Sequence, residues 1–198
     1  LVSYEFQRPV PTRVDLFTYM DADVQDALKR NMRYSPVPNY LKFLAEKNLL
    51  NEDEKKLLNG KGAEFINMVE TTRMQKSYKM PLLLAFCRDG KFKTVVNEND
   101  IYYSFQTYYE RGGYKVDMIK DQSSAGFMTW GKKEWVKLAV MNPVKFMLNS
   151  HPDCFKKVDH GVIGLVEGME EIVENEAFVR HVMDAVEWRS VRYFAEEK

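Results

Sequence analysis

Residues 78–110 read YKMPLLLAFCRDGKFKTVVNENDIYYSFQTYYE, and the punctuation of this stretch decides the fold. Tyr78–Arg88 is a compact apolar helix in which Pro81 is tolerated because it falls in the first turn. Asp89-Gly90 is expected to end it, since glycine enters the left-handed region cheaply. Lys91–Val96 alternates Phe92, Thr94 and Val96 against Lys91, Lys93 and Val95, a period of two that predicts a short strand. Asn97 or Asn99 caps the next helix, Asp100–Glu110, with Ile101, Phe105 and Tyr108 or Tyr109 facing inward. Gly112-Gly113 stops it.

Downstream, Tyr114–Thr129 reads as irregular, with Ser123-Ser124-Ala125-Gly126 its most flexible part. Lys132–Met141 resumes helical spacing through Trp135, Leu138 and Ala139, and Asn142-Pro143 is a cap and first-turn signal for Val144–Leu148. Phe155–Val158 and Val162–Val166 flank a polar Asp159-His160-Gly161 turn and predict a hairpin. A tail helix, Ala177–Phe194, gathers Val179, Val182, Met183, Val186 and Val191. Upstream, Pro9, Pro11, Pro36 and Pro38 confine helices to Ala22–Met32, with Asp21 as N-cap, and to Tyr40–Lys47. Asn51 followed by Glu54 marks another start, running past Leu57 and Leu58, before Phe65, Ile66 and Val69 resume the spacing beyond Gly60 and Gly62.

The central order is helix, strand, helix, helix, hairpin, which is the order of a winged-helix unit. The expected fold class is therefore mainly α with a small β component. It comprises a helical N-terminal segment (1–60), a winged-helix-like unit (61–166) and a C-terminal helix (167–198) packing back on the core.

Composition narrows the function classes. The 198 residues are 45% hydrophobic and 29% charged, ordinary for a globular chain and unlike a disordered one. The longest apolar run, Met80–Cys87, is far shorter than the roughly 18–20 residues a membrane span needs. No basic–apolar–small leader opens the sequence, and Cys87 and Cys154 are too few for a disulfide framework. The expected location is the cytoplasm, with no membrane partner. The chain opens on Leu1, so it is expected to be a piece of a longer protein. Its 29 basic and 29 acidic residues cancel, but unevenly. Residues 61–160 carry 16 positive and 11 negative side chains, and residues 161–198 carry four and nine. Local charge, rather than the total, attracts a phosphate backbone.

The candidate site residues are accordingly cationic. Lys132 and Lys133 open the helix that would be third in a winged helix, the position that meets a DNA groove, and Lys137 lies one turn on. Lys156 and Lys157 precede the wing tip, while Arg73, Lys76 and Lys79 flank the first helix of the unit. Such groups neutralise phosphates without reading bases. Tyr102-Tyr103, Tyr108-Tyr109, Trp130 and Trp135 are either stacking surfaces for unpaired bases or core.

Catalytic patterns are incomplete. His151-Pro152-Asp153-Cys154 lacks the second pair of ligands that zinc needs. Glu54-Lys55-Lys56 spells a nuclease-like Glu-x-Lys but reads as a helix start. His151, His160 and His181 fall on separate elements, Cys87 is expected buried and inert, and Cys154 more exposed. No catalytic residue, metal ligand or cofactor is assigned to this chain.

Lys76-Ser77-Tyr78-Lys79-Met80-Pro81 before an aliphatic run is one of four distinctive segments. The others are Trp130-Gly131-Lys132-Lys133-Glu134, Asn142-Pro143-Val144-Lys145-Phe146, and Glu187-Trp188-Arg189 with Arg192-Tyr193-Phe194. On these, the stretch from Tyr19 to Phe194 resembles the C-terminal region of bacterial DEAD/DEAH-box (superfamily II) helicases of restriction or defence type. The chain has neither a Gly-x-x-x-x-Gly-Lys-Ser/Thr loop nor an Asp-Glu-Ala-Asp or Asp-Glu-x-His box. The resemblance thus implies a non-catalytic accessory domain, with ATP and Mg confined to upstream domains of the parent. The implied partners are DNA and the helicase core in the same polypeptide. The alternative is a protein-interaction domain that docks a nuclease or braces the helicase core.

Overall fold

The computed structural model describes residues 10–19, 21 and 37–196. The chain is mainly α with a small β component. The helix expected over Ala22–Met32 lies outside the described residues.

The first helices are α1 (Arg13–Tyr19), α2 (Tyr40–Glu46), α3 (Glu52–Lys55) and α4 (Gly60–Thr71). Asn51 caps α3 reciprocally: its side chain accepts the Glu54 N–H at 2.9 Å, and Glu54 accepts the Asn51 N–H at 2.9 Å. The expected run past Leu58 does not form. Leu57 turns into the core, and Gly60, at φ +77°, opens α4.

The Tyr78–Arg88 helix is shorter than expected: α5 is Lys79–Leu84. Cys87–Arg88 (β1) and Lys91–Phe92 (β2) instead form an antiparallel hairpin with Arg88 opposite Lys91. Asp89 and Gly90 are its two-residue turn, at φ +52° and +75°. Two successive left-handed residues are what a tight hairpin of this hand needs, and Asp-Gly supplies them at low cost. The same dipeptide that can stop a helix here closes a hairpin. The predicted strand over Lys91–Val96 is split, because Val95–Val96 (β3) pairs elsewhere. Its alternation survives: Phe92 and Val96 are buried, Lys91 and Val95 exposed.

β3 joins β5 (Ile163–Leu165), which also pairs with β4 (Phe155–Lys156), giving an antiparallel sheet in the order β3-β5-β4. Gly164 is the middle residue, opposite both Val95 and Lys156. A Cβ there would sit 2.5 Å from Val158 Cγ1 and 3.3 Å from the Thr94 carbonyl, so the close strand approach requires glycine.

Between β3 and β4 run α6 (Glu98–Glu110), α7 (Val116–Lys120), α8 (Lys132–Ala139) and α9 (Lys145–Ser150). Asn97 caps α6, accepting the Asp100 N–H at 3.1 Å while Asp100 accepts the Asn97 N–H at 3.0 Å. The region expected to be irregular is a series of short turns, 3₁₀ at Gly112–Lys115 and Phe127–Thr129. Buried Met118 and Phe127 pin it, and Ser124, far from being loose, donates its hydroxyl to Met118 O at 2.8 Å. Asn142-Pro143 does not restart a helix. The chain continues from α8 into α9 through a π-turn, Val140–Val144. Pro143 lacks the N–H that an α-turn would use, and the wider turn accommodates that gap.

α10 (Glu176–Glu196) closes the molecule. One apolar cluster extends from Leu41 through α4, α5 and α6 to Val186. Phe65, Phe86, Phe92, Phe155 and Phe178 meet at its centre with ring centroids 5.5–6.0 Å apart. Buried aromatic pairs at such distances add about 0.5–1.5 kcal/mol each beyond their area.

Candidate nucleic-acid interface

α8 is anchored by one face. Trp135 is buried between Phe105 (6.1 Å), Phe127 (6.0 Å) and Tyr109 (5.9 Å, parallel rings), and Ala139 follows it one turn later. That fixes the opposite face outward, where Lys133 and Lys137 are exposed, while Lys132, three residues before Trp135, is exposed because it opens the helix. Lys132 Nζ lies 3.2 Å from Asn99 Oδ1, so the start of α8 is tied to the start of α6. Glu134 turns back to accept the Gly131 N–H at 2.9 Å. Cations at a helix N-terminus oppose its dipole by some tenths of a kcal/mol, so Lys132 and Lys133 are not placed there by helix stability.

The other candidates divide. Lys156 and Lys157 are exposed at the β4–β5 hairpin, and Arg73 is exposed after α4. Lys76 and Lys79 are instead engaged within the protein. Lys76 pairs with Asp121 and sits 5.3 Å from the Tyr78 ring. Lys79 is half-buried, donating to Thr72 Oγ1 (2.9 Å) and the Arg73 carbonyl (2.8 Å). Burial, with Arg189 nearby, lowers the Lys79 ammonium below its ordinary range.

The structure also sorts the aromatics. Tyr108, Tyr109 and Trp135 are core, and Tyr102 is half-buried. Trp130 is half-buried too, its ring edge-on to Trp135 at 5.1 Å. Tyr103 alone of these six is exposed, at 61%.

Sequence reasoning missed a buried ionic cluster where α1 meets α10. Arg13 is wholly buried, with Nε 2.7 Å from Glu70 Oε1 and Nη1 2.8 Å from Asp184 Oδ2, and its guanidinium lies 4.5 Å from the Tyr40 ring. Arg13 Nη1 is also 3.3 Å from His181 Nδ1. A guanidinium only donates, so Nδ1 accepts and Nε2 carries the proton, which it gives to Glu54 Oε1 at 3.1 Å. Burial and the Arg13 charge hold His181 down to about 4, hence neutral at physiological pH. Burial of Glu54 opposes its ionisation, but bonds from Asn51, Arg180 and His181 outweigh it and leave the carboxyl below its usual range. Both His181 ring nitrogens are engaged, so the imidazole has no free lone pair for a general base. Asn51 and Glu54 were legible as a helix start; the pairing with Arg13 and His181 left no local signal.

Nucleophilic chemistry finds no support at the cysteines. Cys154, expected to be exposed, is buried, because its hairpin folds against α4, and burial pushes its thiol up to about 11. Cys87 is half-buried rather than fully so, and burial raises it also. Among the described residues no group of three or more His, Cys, Asp or Glu side chains is placed to hold a metal ion. No helix among them is long and apolar enough to cross a membrane.

Comparison with known protein families, curated proteins and solved structures finds no match.

Proposed function

We propose that this chain is a non-catalytic, nucleic-acid-contacting accessory domain that holds the DNA phosphate backbone. The supporting observation is the exposure of Lys132, Lys133 and Lys137 on α8 while Trp135 and Ala139 of the same helix are locked in the core. A rigid helix that presents charge outward loses little conformational entropy on docking. Lys156, Lys157 and Arg73 add exposed charge, whereas Lys76 and Lys79 contribute chiefly to the fold. The resemblance carried by Ser77-Tyr78-Lys79-Met80-Pro81 supports reading the domain as part of a superfamily II helicase of restriction or defence type that would act in the cytoplasm, with ATP and Mg chemistry left to other domains. Charge reversal at Lys132 and Lys133 tests the reading. Lys132→Glu/Lys133→Glu is expected to weaken DNA binding, with Lys132→Arg/Lys133→Arg retaining it; equal binding by both would refute it.

A second reading, docking of a protein partner, is favoured by apolar side chains on the same segment. Val140, Met141 and Phe146 are 44%, 66% and 51% exposed around the π-turn. A nuclease or the helicase core would be the occupant. Met141→Asp/Phe146→Asp that spares DNA binding but releases such a partner would establish it.

A further inference from the structure

We infer that Tyr103 is a stacking platform for an unpaired base, so that the nucleic acid held here is single-stranded or forked rather than plain duplex; this rests on the phosphate-contact reading above. Three features converge on the residue. Its neighbours on α6, Phe105, Tyr108 and Tyr109, are buried and serve the core, whereas Tyr103 presents its ring to solvent. The Arg88 guanidinium, carried by the β1–β2 hairpin, lies 5.7 Å from the Tyr103 ring centroid. It covers one face of the ring by a cation–π contact and leaves the other for a base, although Asp89, 3.7 Å from Arg88 Nε, offsets part of its charge. Asn99, one helical turn before Tyr103, is the residue that receives Lys132 Nζ at 3.2 Å. The ring therefore sits beside the cationic start of α8, and a strand whose phosphates meet the lysines has a base within reach of it.

The chemistry of this pairing selects the ligand. A duplex offers phosphates to lysines but keeps its bases stacked on each other, leaving no face for a tyrosine. A single strand, or the branch point of a fork, offers both. Base–aromatic stacking is indifferent to base identity, so the inferred contact selects strand state and not sequence.

The test is a fluorescence-anisotropy titration of the full chain with single-stranded, forked and duplex DNA of matched length, using wild type, Tyr103→Ala, Tyr103→Phe and Lys132→Glu/Lys133→Glu. A fluorescent purine analogue in the single strand reports stacking directly. Tyr103→Ala is expected to lose roughly tenfold in affinity for single-stranded and forked DNA, within the usual worth of one base–aromatic contact, while duplex affinity changes less than about twofold. Tyr103→Phe keeps the ring, and with it the affinity and the fluorescence quenching. The lysine pair variant loses affinity for all three DNAs. If wild type binds and Tyr103→Ala matches it on single strands, in affinity and in quenching, the stacking inference is overturned and the lysine interface stands. If wild type binds none of the three, both are overturned.

Discussion

Arg13 is the residue on which the N-terminal end of the described chain depends. It is buried without remainder, and its single charge is shared between Glu70 and Asp184, which approach from α4 and α10. Removing one partner from such a group strands the others in a poorly solvated site. Arg13→Ala is therefore expected to cost about 3–5 kcal/mol in urea unfolding, far beyond the loss from an exposed ion pair such as Lys55–Glu52. His181 adds a pH dependence. Its folded-state affinity for protons is depressed to about 4 from an ordinary 6.5, so the unfolded chain binds more protons between those values. Stability is then complete above about pH 6.5 and declines as pH falls toward 4, by about 2 kcal/mol between pH 7.5 and 5. Glu54, also depressed, continues the decline in the carboxylate range. Unfolding curves at the two pH values check this: a His181→Phe variant should lose most of the difference, and an equal slope in both proteins would contradict the assignment.

At the scale of elements, caps and turns carry local terms that single substitutions expose. Asn97→Ala removes the acceptor for the Asp100 N–H and should destabilise the chain by about 1 kcal/mol, read as a lower midpoint with unchanged urea slope. Gly164→Ala drives a methyl into Val158 and the Thr94 carbonyl and should cost about 1–3 kcal/mol, with loss of sheet protection in hydrogen exchange. The first of these was readable in advance: Asn97 with Asp100 three residues on is a local signal, as was the inward set Ile101, Phe105, Tyr108 and Tyr109. So were Lys133 and Lys137 of α8, because Trp135 and Ala139 fix which side faces out, and Lys132, because it opens the helix. Asp89-Gly90 was ambiguous, since left-handed geometry serves a helix stop and a hairpin equally. Asn142-Pro143 misled because a proline that usually opens a helix can also be carried through a π-turn. Arg13 left no trace at all. Its acidic partners lie 57 and 171 residues away, and no local pattern encodes such a pairing. Tyr103 could be named only as one aromatic among several, because exposure is a property of the packed helix.

Over the whole molecule, a neutral chain is arranged as a basic middle and an acidic end. α10 brings part of that acid inward, where Asp184 meets Arg13, and the lysines of α8 stay outward. One continuous apolar cluster ties α10 to α4, α5 and α6, so the exposed lysines are borne on a scaffold that does not have to fold on binding. Phosphate contact made by such a surface releases counterions, and its strength must fall with salt in proportion to the charges engaged. The decisive measurement is the salt dependence of duplex and forked DNA binding by wild type and by Lys132→Glu/Lys133→Glu. We expect dissociation constants of roughly 1–100 μM near physiological salt, tightening linearly on a log–log plot as salt falls, and a slope shallower by about two in the variant. Absence of binding to both DNAs at the lowest salt, or a slope that the substitutions leave unchanged, would contradict the assignment of this face to nucleic acid.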